Sequence, residues 1–434
     1  MKLRTRLFAV VSAVVLLLAI CTGVNAAKQQ LEYYSMWNPG EDQQQVLAQV
    51  IADFEKANPG VSVKVTWAGR QVVAKARSRV IMGNPPDLID QSFCELWGAL
   101  LADKEVAVPV DDLLDSPGPE GQARFRDIFY APTFDLYQVS GKSYFIPYEF
   151  ITSGFFYDKT TFNSYGLQEP KTWDELMDVA EKLKAQGIAP FAQDGNISFY
   201  NAYWFYWLTN RILGPGSFYA AAADRTGETW DHPGYLQAAQ MIYDISKARK
   251  GYFQEGYDGS NYPAAQMGWA RRESAMIVCG TWIPNETAEG QVADFDTGYF
   301  AFPEVKDGKG TLENFEAYMI GFAIPKGAKN EALAKEFIKF TLKKEYQEMI
   351  AGQADNIAAR EDVQLPTVLA DVDPYLRNAT EFHMEYDGVQ AKLPEWFTSV
   401  FYGLDDRLLF GTITPDEFIQ QIKQQTISYW QKKK

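Results

Sequence analysis

Residues 31–67 read LEYYSMWNPGEDQQQVLAQVIADFEKANPGVSVKVTW, and this stretch decides the fold class. Leu31 to Met36 is strand-like, and Trp37-Asn38-Pro39-Gly40 is a turn. Val46, Val50, Ile51 and Phe54 recur at helical spacing and share one face, and Asn58-Pro59-Gly60 stops the helix behind them. Val61 to Trp67 then alternates with period two, which makes a second strand. The same rhythm follows once more: a helix over Val72 to Met82, the breaker Gly83-Asn84-Pro85-Pro86, and a strand over Asp87 to Gln91. Strands alternating with helices predict a mainly parallel sheet covered on both faces. In such sheets ligands sit beyond the carboxyl ends of the strands. Those ends are Trp37-Asn38, Arg70-Gln71 and Asp90-Gln91.

The chain has 434 residues, beyond the ~250–300 at which a single core stops growing, so two lobes are expected. Lys2, Arg4 and Arg6, an apolar run from Leu7 to Ile20, and the small-x-small pattern Val24-Asn25-Ala26 read as a secretory signal peptide over residues 1–26. Leu18-Ala19-Ile20-Cys21 also has the look of a lipobox, which would tether the exported chain through Cys21. The expected location is the periplasm or the outer face of the cell membrane. Removing residues 1–26 takes away three positive charges and no acid, so the formal charge moves from −15 to −18. A chain this acidic repels phosphate backbones, which argues against nucleic acid as a partner. Cys94 and Cys279 do not make a disulfide framework, and His232 and His383 show no metal-ligand spacing, so no metal and no cofactor are expected. Aromatic content is 15%, with 11 Trp and 24 Tyr. These side chains combine a flat apolar body with a polar handle.

A second region opens at Gly141. Within it Thr172 and Glu175 form a capping box, Leu176, Val179, Ala180 and Leu183 form an apolar helical face, and Gly187 ends the helix. Six ordered blocks then carry a resemblance. They are MGNPPDLID (82–90) with VPVDDLL (108–114); GKSYFIPY (141–148) with FFYDKTTF (155–162); GLQEPKTWDEL (166–176) with LKAQGIAPFA (183–192); RRESAMIVCGTW (271–282); TGYFAFPEV (297–305); and YMIGFAIPKGAKNEALAKEFIKF (318–340). In this order they resemble the extracellular solute-binding proteins of ABC importers, in the sugar-binding group, over nearly the whole mature chain. The resemblance implies an α/β fold of two lobes, with ligand held in a cleft between them. It implies a first lobe of residues 28–147 plus 298–345 and a second of 148–297 plus 346–434, with Pro147-Tyr148-Glu149 as the first hinge crossing. It further implies an exported monomer, without catalysis, that captures an oligosaccharide and presents it to the transmembrane subunits of an ABC permease. At Gln91 and Ile151 the sequence departs from maltose-binding members, so maltose is not implied.

The family brings an aromatic into the cleft after an apolar strand that ends in G-x-W, here SAMIVCGTW ending at Trp282. An indole face is a flat, electron-rich platform for the apolar C–H face of a pyranose. Trp37 and Asn38 follow the first strand. In FYNAYWFYWLTN (199–210) the family places cleft residues at the start of the helix, which selects Tyr200, Asn201 and Trp204 and leaves Trp207 to the core. Trp396 in KLPEWFTSV falls near a late stacking aromatic of related proteins. Planar polar groups that bridge adjacent hydroxyls are expected from Arg70, Gln71, Asp90, Glu149 and Glu316, with Gln91 a weaker candidate. Two other classes share these features: a secreted glycoside hydrolase, which needs two carboxylates flanking the scissile bond, and a surface carbohydrate-binding protein without a transporter. The sequence has no G-x-S-x-G elbow and no zinc set.

Overall fold

The computed structural model describes residues 28–97 and 106–433; the signal segment and Cys21 lie outside them. The strands Gln29–Ser35, Val61–Trp67 and Leu88–Ser92 form as their sequence periodicity requires, and both neighbours run parallel to Gln29–Ser35. The helix Asp42–Ala57 buries Val46, Val50, Ile51 and Phe54, the expected face, and Leu47 beside them. Phe54 meets the edge of Phe337 at 5.2 Å, which fixes this helix against the later helix Glu331–Thr341. Asp87 ties the strand entrances together: its carboxylate accepts from the backbone N–H of Glu32, Lys329 and Asn330.

Parallel pairing does not extend through this sheet, which corrects the expectation of a mainly parallel one. Asn314–Ala323 inserts antiparallel to Leu88–Ser92, and Ile146–Ile151 lies antiparallel to Asn314–Ala323. The reason is topological. These strands belong to segments that arrive from or leave for the other lobe, so no crossover helix sets their direction. A smaller four-stranded sheet has the order Thr297–Phe300, Ser153–Asp158, Ser274–Gly280, Ala189–Ala192, and only its last pair is parallel. The chain passes from the larger sheet to the smaller at Thr152 and returns between Phe300 and Asn314. Helix Lys344–Gln353 packs on Asp42–Ala57 beside the larger sheet.

Two large hydrophobic cores result: one covers the larger sheet and takes in one face of the smaller through Phe156, Ile277 and Tyr299, and the other covers the smaller sheet's opposite face through Phe155, Met276 and Phe300. The second takes up much of the aromatic content: Trp207 stacks on Phe302 at 5.8 Å, Phe155 on Phe300 at 5.1 Å, and Trp230 on Trp396 at 6.1 Å. The capping box forms, with Thr172 and Glu175 exchanging backbone hydrogen bonds at 3.1 and 3.3 Å, and Leu176, Val179, Ala180 and Leu183 are buried behind it.

Candidate functional site

A cavity of about 430 Å³ lies where the two cores meet, lined from the larger sheet's side by Trp37, Arg70 and Glu149 and from the smaller by Tyr200, Tyr262, Trp282 and Glu286. Tyr200 and Trp282 are half-buried and pack against both cores at once. A larger depression of about 1110 Å³ between Lys159, Phe295 and Lys344 contains neither Trp nor Tyr. Another depression, of about 660 Å³, holds Trp173 and Tyr252 but is lined from the smaller sheet's side alone, whereas the smaller cavity brings flat apolar faces and polar groups from both sides together.

Trp37 is held from behind. Its indole Nε1 donates to the Tyr148 hydroxyl at 2.7 Å, that hydroxyl donates to Asp90 Oδ2 at 2.8 Å, and Asp90 Oδ1 accepts the Met36 N–H at 2.7 Å. Burial pushes the Asp90 carboxyl up to about 6, against the hydrogen bonds from Tyr148 and Tyr33 that hold it down. Asp90 is thus a brace under the aromatic and does not reach the cavity. In front, the Arg70 guanidinium sits 5.2 Å from the centre of the Trp37 ring and donates to the Met36 carbonyl and to Glu41. Asn38 folds onto Glu41 with two hydrogen bonds. The turn requires Gly69, whose φ is +61° and whose added Cβ would lie 2.2 Å from Asn38 Oδ1.

On the other wall, Ser274–Gly280 ends and the Trp282 ring folds back over the glycine, so that a Cβ on Gly280 would lie 2.1 Å from the ring. That close approach accounts for the glycine at the end of the apolar run. The short helix Ile283–Thr287 then starts, with the Glu286 N–H donating to the Trp282 carbonyl, and this places Glu286 one turn along on the same wall. Asn285 bridges the lobes at the mouth, donating to Asp42 at 2.8 Å and to the Ala354 carbonyl at 3.3 Å.

Two carboxyl groups in the lining are held above their ordinary range. Burial pushes Glu149 up to about 8, opposed by Gln43, Asn356 and Arg70. Its Oε1 accepts from Gln43 and Asn356, while Oε2 has no partner. Burial likewise pushes Glu286 up to about 7, opposed by Arg70 and Gln266, and its Oε2 is also unpartnered.

Of the twelve residues expected from sequence, the cavity gathers Trp37, Arg70, Glu149, Tyr200 and Trp282. Asn38 and Gln71 are exposed beside it and outside its lining. Asn201 is fully buried, accepting from Gln193 and donating to Asp406 and the Gly195 carbonyl. Trp204 is enclosed by Phe191 and Phe253, with its N–H on Gln193. Glu316 accepts the Ser153 N–H at 2.9 Å between the two sheets. Trp396 is sealed against Trp230 and donates to Thr426. Sequence reasoning missed Glu41, Tyr262, Glu286, Tyr318 and Asn356. Glu286 had a local signal, four residues after Trp282 at a helix start marked by Pro284. Tyr262 and Asn356 had none, because only the tertiary fold brings their loops to the cavity.

Among the described residues no group of acids, histidines or cysteines is arranged to hold a metal ion, and no helix is long and apolar enough to cross a membrane. A family model described as bacterial extracellular solute-binding protein matches residues 38–348. The multiple sugar-binding protein of Streptococcus mutans is 26% identical over 349 residues, 77% of each chain. A diacetylchitobiose-binding protein of Streptomyces coelicolor is 28% identical over 277 residues, 62% of this chain, and the match spans only 57% of that relative's length. Among solved structures, a chitin oligosaccharide binding protein superimposes with a TM-score of 0.73 at 22% identity, covering 93% of this chain and 100% of its own. A raffinose complex of another solute-binding protein superimposes at 0.67 and 19% identity, covering 92% and 99%. At these identities the structural likeness speaks for the fold.

Proposed function

The chain belongs to the bacterial extracellular solute-binding protein family, and from that premise we propose that it captures an oligosaccharide in the cavity between its lobes and delivers it to the transmembrane subunits of an ABC importer. The observation that carries the proposal is the placement of Trp37 on one lobe and Tyr200 and Trp282 on the other around a single cavity, with Glu149, Arg70 and Glu286 among them. Flat aromatic faces suit sugar rings, and carboxylate and guanidinium groups suit paired hydroxyls. The sugar-binding relatives support the choice of ligand class. We divide the lobes at Thr152, where the sheets hand over, which keeps all of Ile146–Ile151 with the larger sheet, and we place Lys344–Gln353 and Ile357–Ala358 on that side too, beyond the boundaries at 147 and 345 that the resemblance implies.

Binding works by differential affinity. A ligand that touches both lobes favours the closed arrangement over any open one, because an equilibrium shifts only by the difference in affinity for its two states. Asn285 on Asp42 already joins the lobes at the mouth, so the ligand adds to a contact that closure makes. The protein releases its cargo unchanged, and the free energy for import is supplied at the membrane.

Thermal melting of the exported chain against a saccharide panel tests this. A ligand at 100 times its Kd stabilises by ~2.7 kcal/mol, a readable shift. A shift with one saccharide class and no new product by chromatography supports capture. No shift across the panel overturns the carbohydrate reading, and breakdown of the sugar makes the protein a hydrolase.

A further inference from the structure

Around the cavity, Glu41, Asp42, Glu149 and Glu286 face the single cation Arg70 among the described lining residues. Arg70 is already engaged, with its guanidinium on Glu41 at 3.1 Å, on the Met36 carbonyl at 2.9 Å and over the Trp37 ring. Asp42 is engaged as well, by Asn285. What remains without a partner is one enclosed oxygen on each of two carboxyl groups on opposite walls, Glu149 Oε2 of a buried side chain and Glu286 Oε2 of a half-buried one. Glu149 is 0% exposed, and a buried carboxyl oxygen left unpaired carries a desolvation cost that a ligand donor relieves. Among the described lining residues no free cation offers the reverse, a site to receive an anion.

We propose that this cleft takes saccharides that are uncharged or carry an amine and excludes acidic ones, with Glu149 and Glu286 as the specificity-determining residues. The proposal rests on the carbohydrate-binding reading above. A hydroxyl or ammonium of the ligand donates to each unpaired oxygen. A uronate or phosphate brings negative charge against two carboxyl groups in a confined, poorly solvated space, where like-charge juxtaposition is strongly unfavourable. Because the Glu286 and Glu149 carboxyl groups lie up at about 7 and about 8, the repulsion strengthens as they ionise. The charged and titratable neighbours that share this field are Arg70, Glu41, Asp90 and Tyr262.

Calorimetric titration with matched pairs tests it: galactobiose against digalacturonate, cellobiose against cellobiouronate, and fully deacetylated chitobiose as the amine-bearing probe. The expected result at about pH 8.5, where both carboxyl groups are ionised, is that the neutral or amine member of at least one set binds and that acidic members bind about 100-fold more weakly or not at all. Glu286→Gln and Glu149→Gln keep side-chain shape while removing the charge, and each should narrow the gap by tightening the acid. The acid penalty should grow in the wild type from about pH 5.5 to about pH 8.5 and flatten in the double Gln variant. Acidic members binding as well as neutral ones would overturn the proposal without any variant, as would a gap that both Gln variants, checked for folding by their melting curves, leave unchanged. No binding by any probe, neutral, cationic or acidic, would overturn the carbohydrate reading itself and this proposal with it.

Discussion

Gly280 offers a way to move the cleft wall without altering any side chain in the cavity. A Cβ added there would lie 2.1 Å from Cζ3 of Trp282 and 2.4 Å from Cε3 and Cη2. Carbon atoms prefer about 3.5–4.0 Å, so in Gly280→Ala the indole must retreat by more than ~1 Å. The backbone itself tolerates alanine, because Gly280 does not have a left-handed φ and sits within the strand Ser274–Gly280. Its unfolded chain loses some freedom, which favours folding by about 0.4–1 kcal/mol. The fold should therefore survive while the stacking platform shifts. A displaced central aromatic costs roughly 1–3 kcal/mol of binding, about 5- to 150-fold in Kd. The assay is calorimetric titration of wild type, Gly280→Ala, Trp282→Ala and the double variant with the saccharide that gives the largest melting shift. If the indole is what the new methyl strikes, Gly280→Ala should cost little once Trp282 is already alanine, so the two penalties should not add. Wild-type affinity in Gly280→Ala, or a full additional penalty in the Trp282→Ala background, would refute the reasoning.

Tyr148→Phe removes the hydroxyl that both receives the Trp37 N–H and donates to Asp90. It should lower stability by ~1–3 kcal/mol by leaving buried polar atoms short of a partner, read as a drop in the urea midpoint, and it should also weaken saccharide binding by freeing the Trp37 ring. Trp396→Ala should instead cost ~3–5 kcal/mol of stability, since it empties a sealed core position, while titration of the folded protein shows the wild-type Kd; a selective loss of affinity would return Trp396 to the site. Burial holds the carboxyl groups of Asp90 and Asp387 up at about 6, Glu316 at about 7 and Glu149 at about 8. The folded chain therefore binds more protons than the unfolded one above the usual carboxyl range, and its stability should fall as pH rises through about 6 to 8. His383, held neutral down to about 3 by burial, acts in the opposite sense and erodes stability below its unfolded value of about 6.5. Urea midpoints should thus fall between about pH 6 and pH 8.5, and a rise over that interval would contradict the assignment.

The elements that formed as expected are those whose information is local. A 3.6-residue apolar spacing built the face of Asp42–Ala57, a capping box opened the helix at Thr172, and the end of an apolar strand at Gly280 put Trp282 at the cleft. Strand direction was legible only within the first βαβ unit, where a helix of fixed length forces parallel neighbours. Asn314–Ala323 runs antiparallel because it returns from the other lobe, and that route is written in no single stretch. The site divides along the same line. Trp282 and Trp396 are both tryptophans beside prolines, but one has a cavity in front of it and the other has Trp230 and Thr426, and those neighbours come from distant segments. Asp90, which sequence position alone makes a ligand group, becomes the brace of Trp37 once Tyr148 is brought over it. The chain by itself determined its segments and the aromatic at the end of the apolar strand. Only the packing of two lobes decided which polar groups face the cavity and which oxygens are left without a partner there, because burial and pairing are properties of residues that meet across the whole length of the chain.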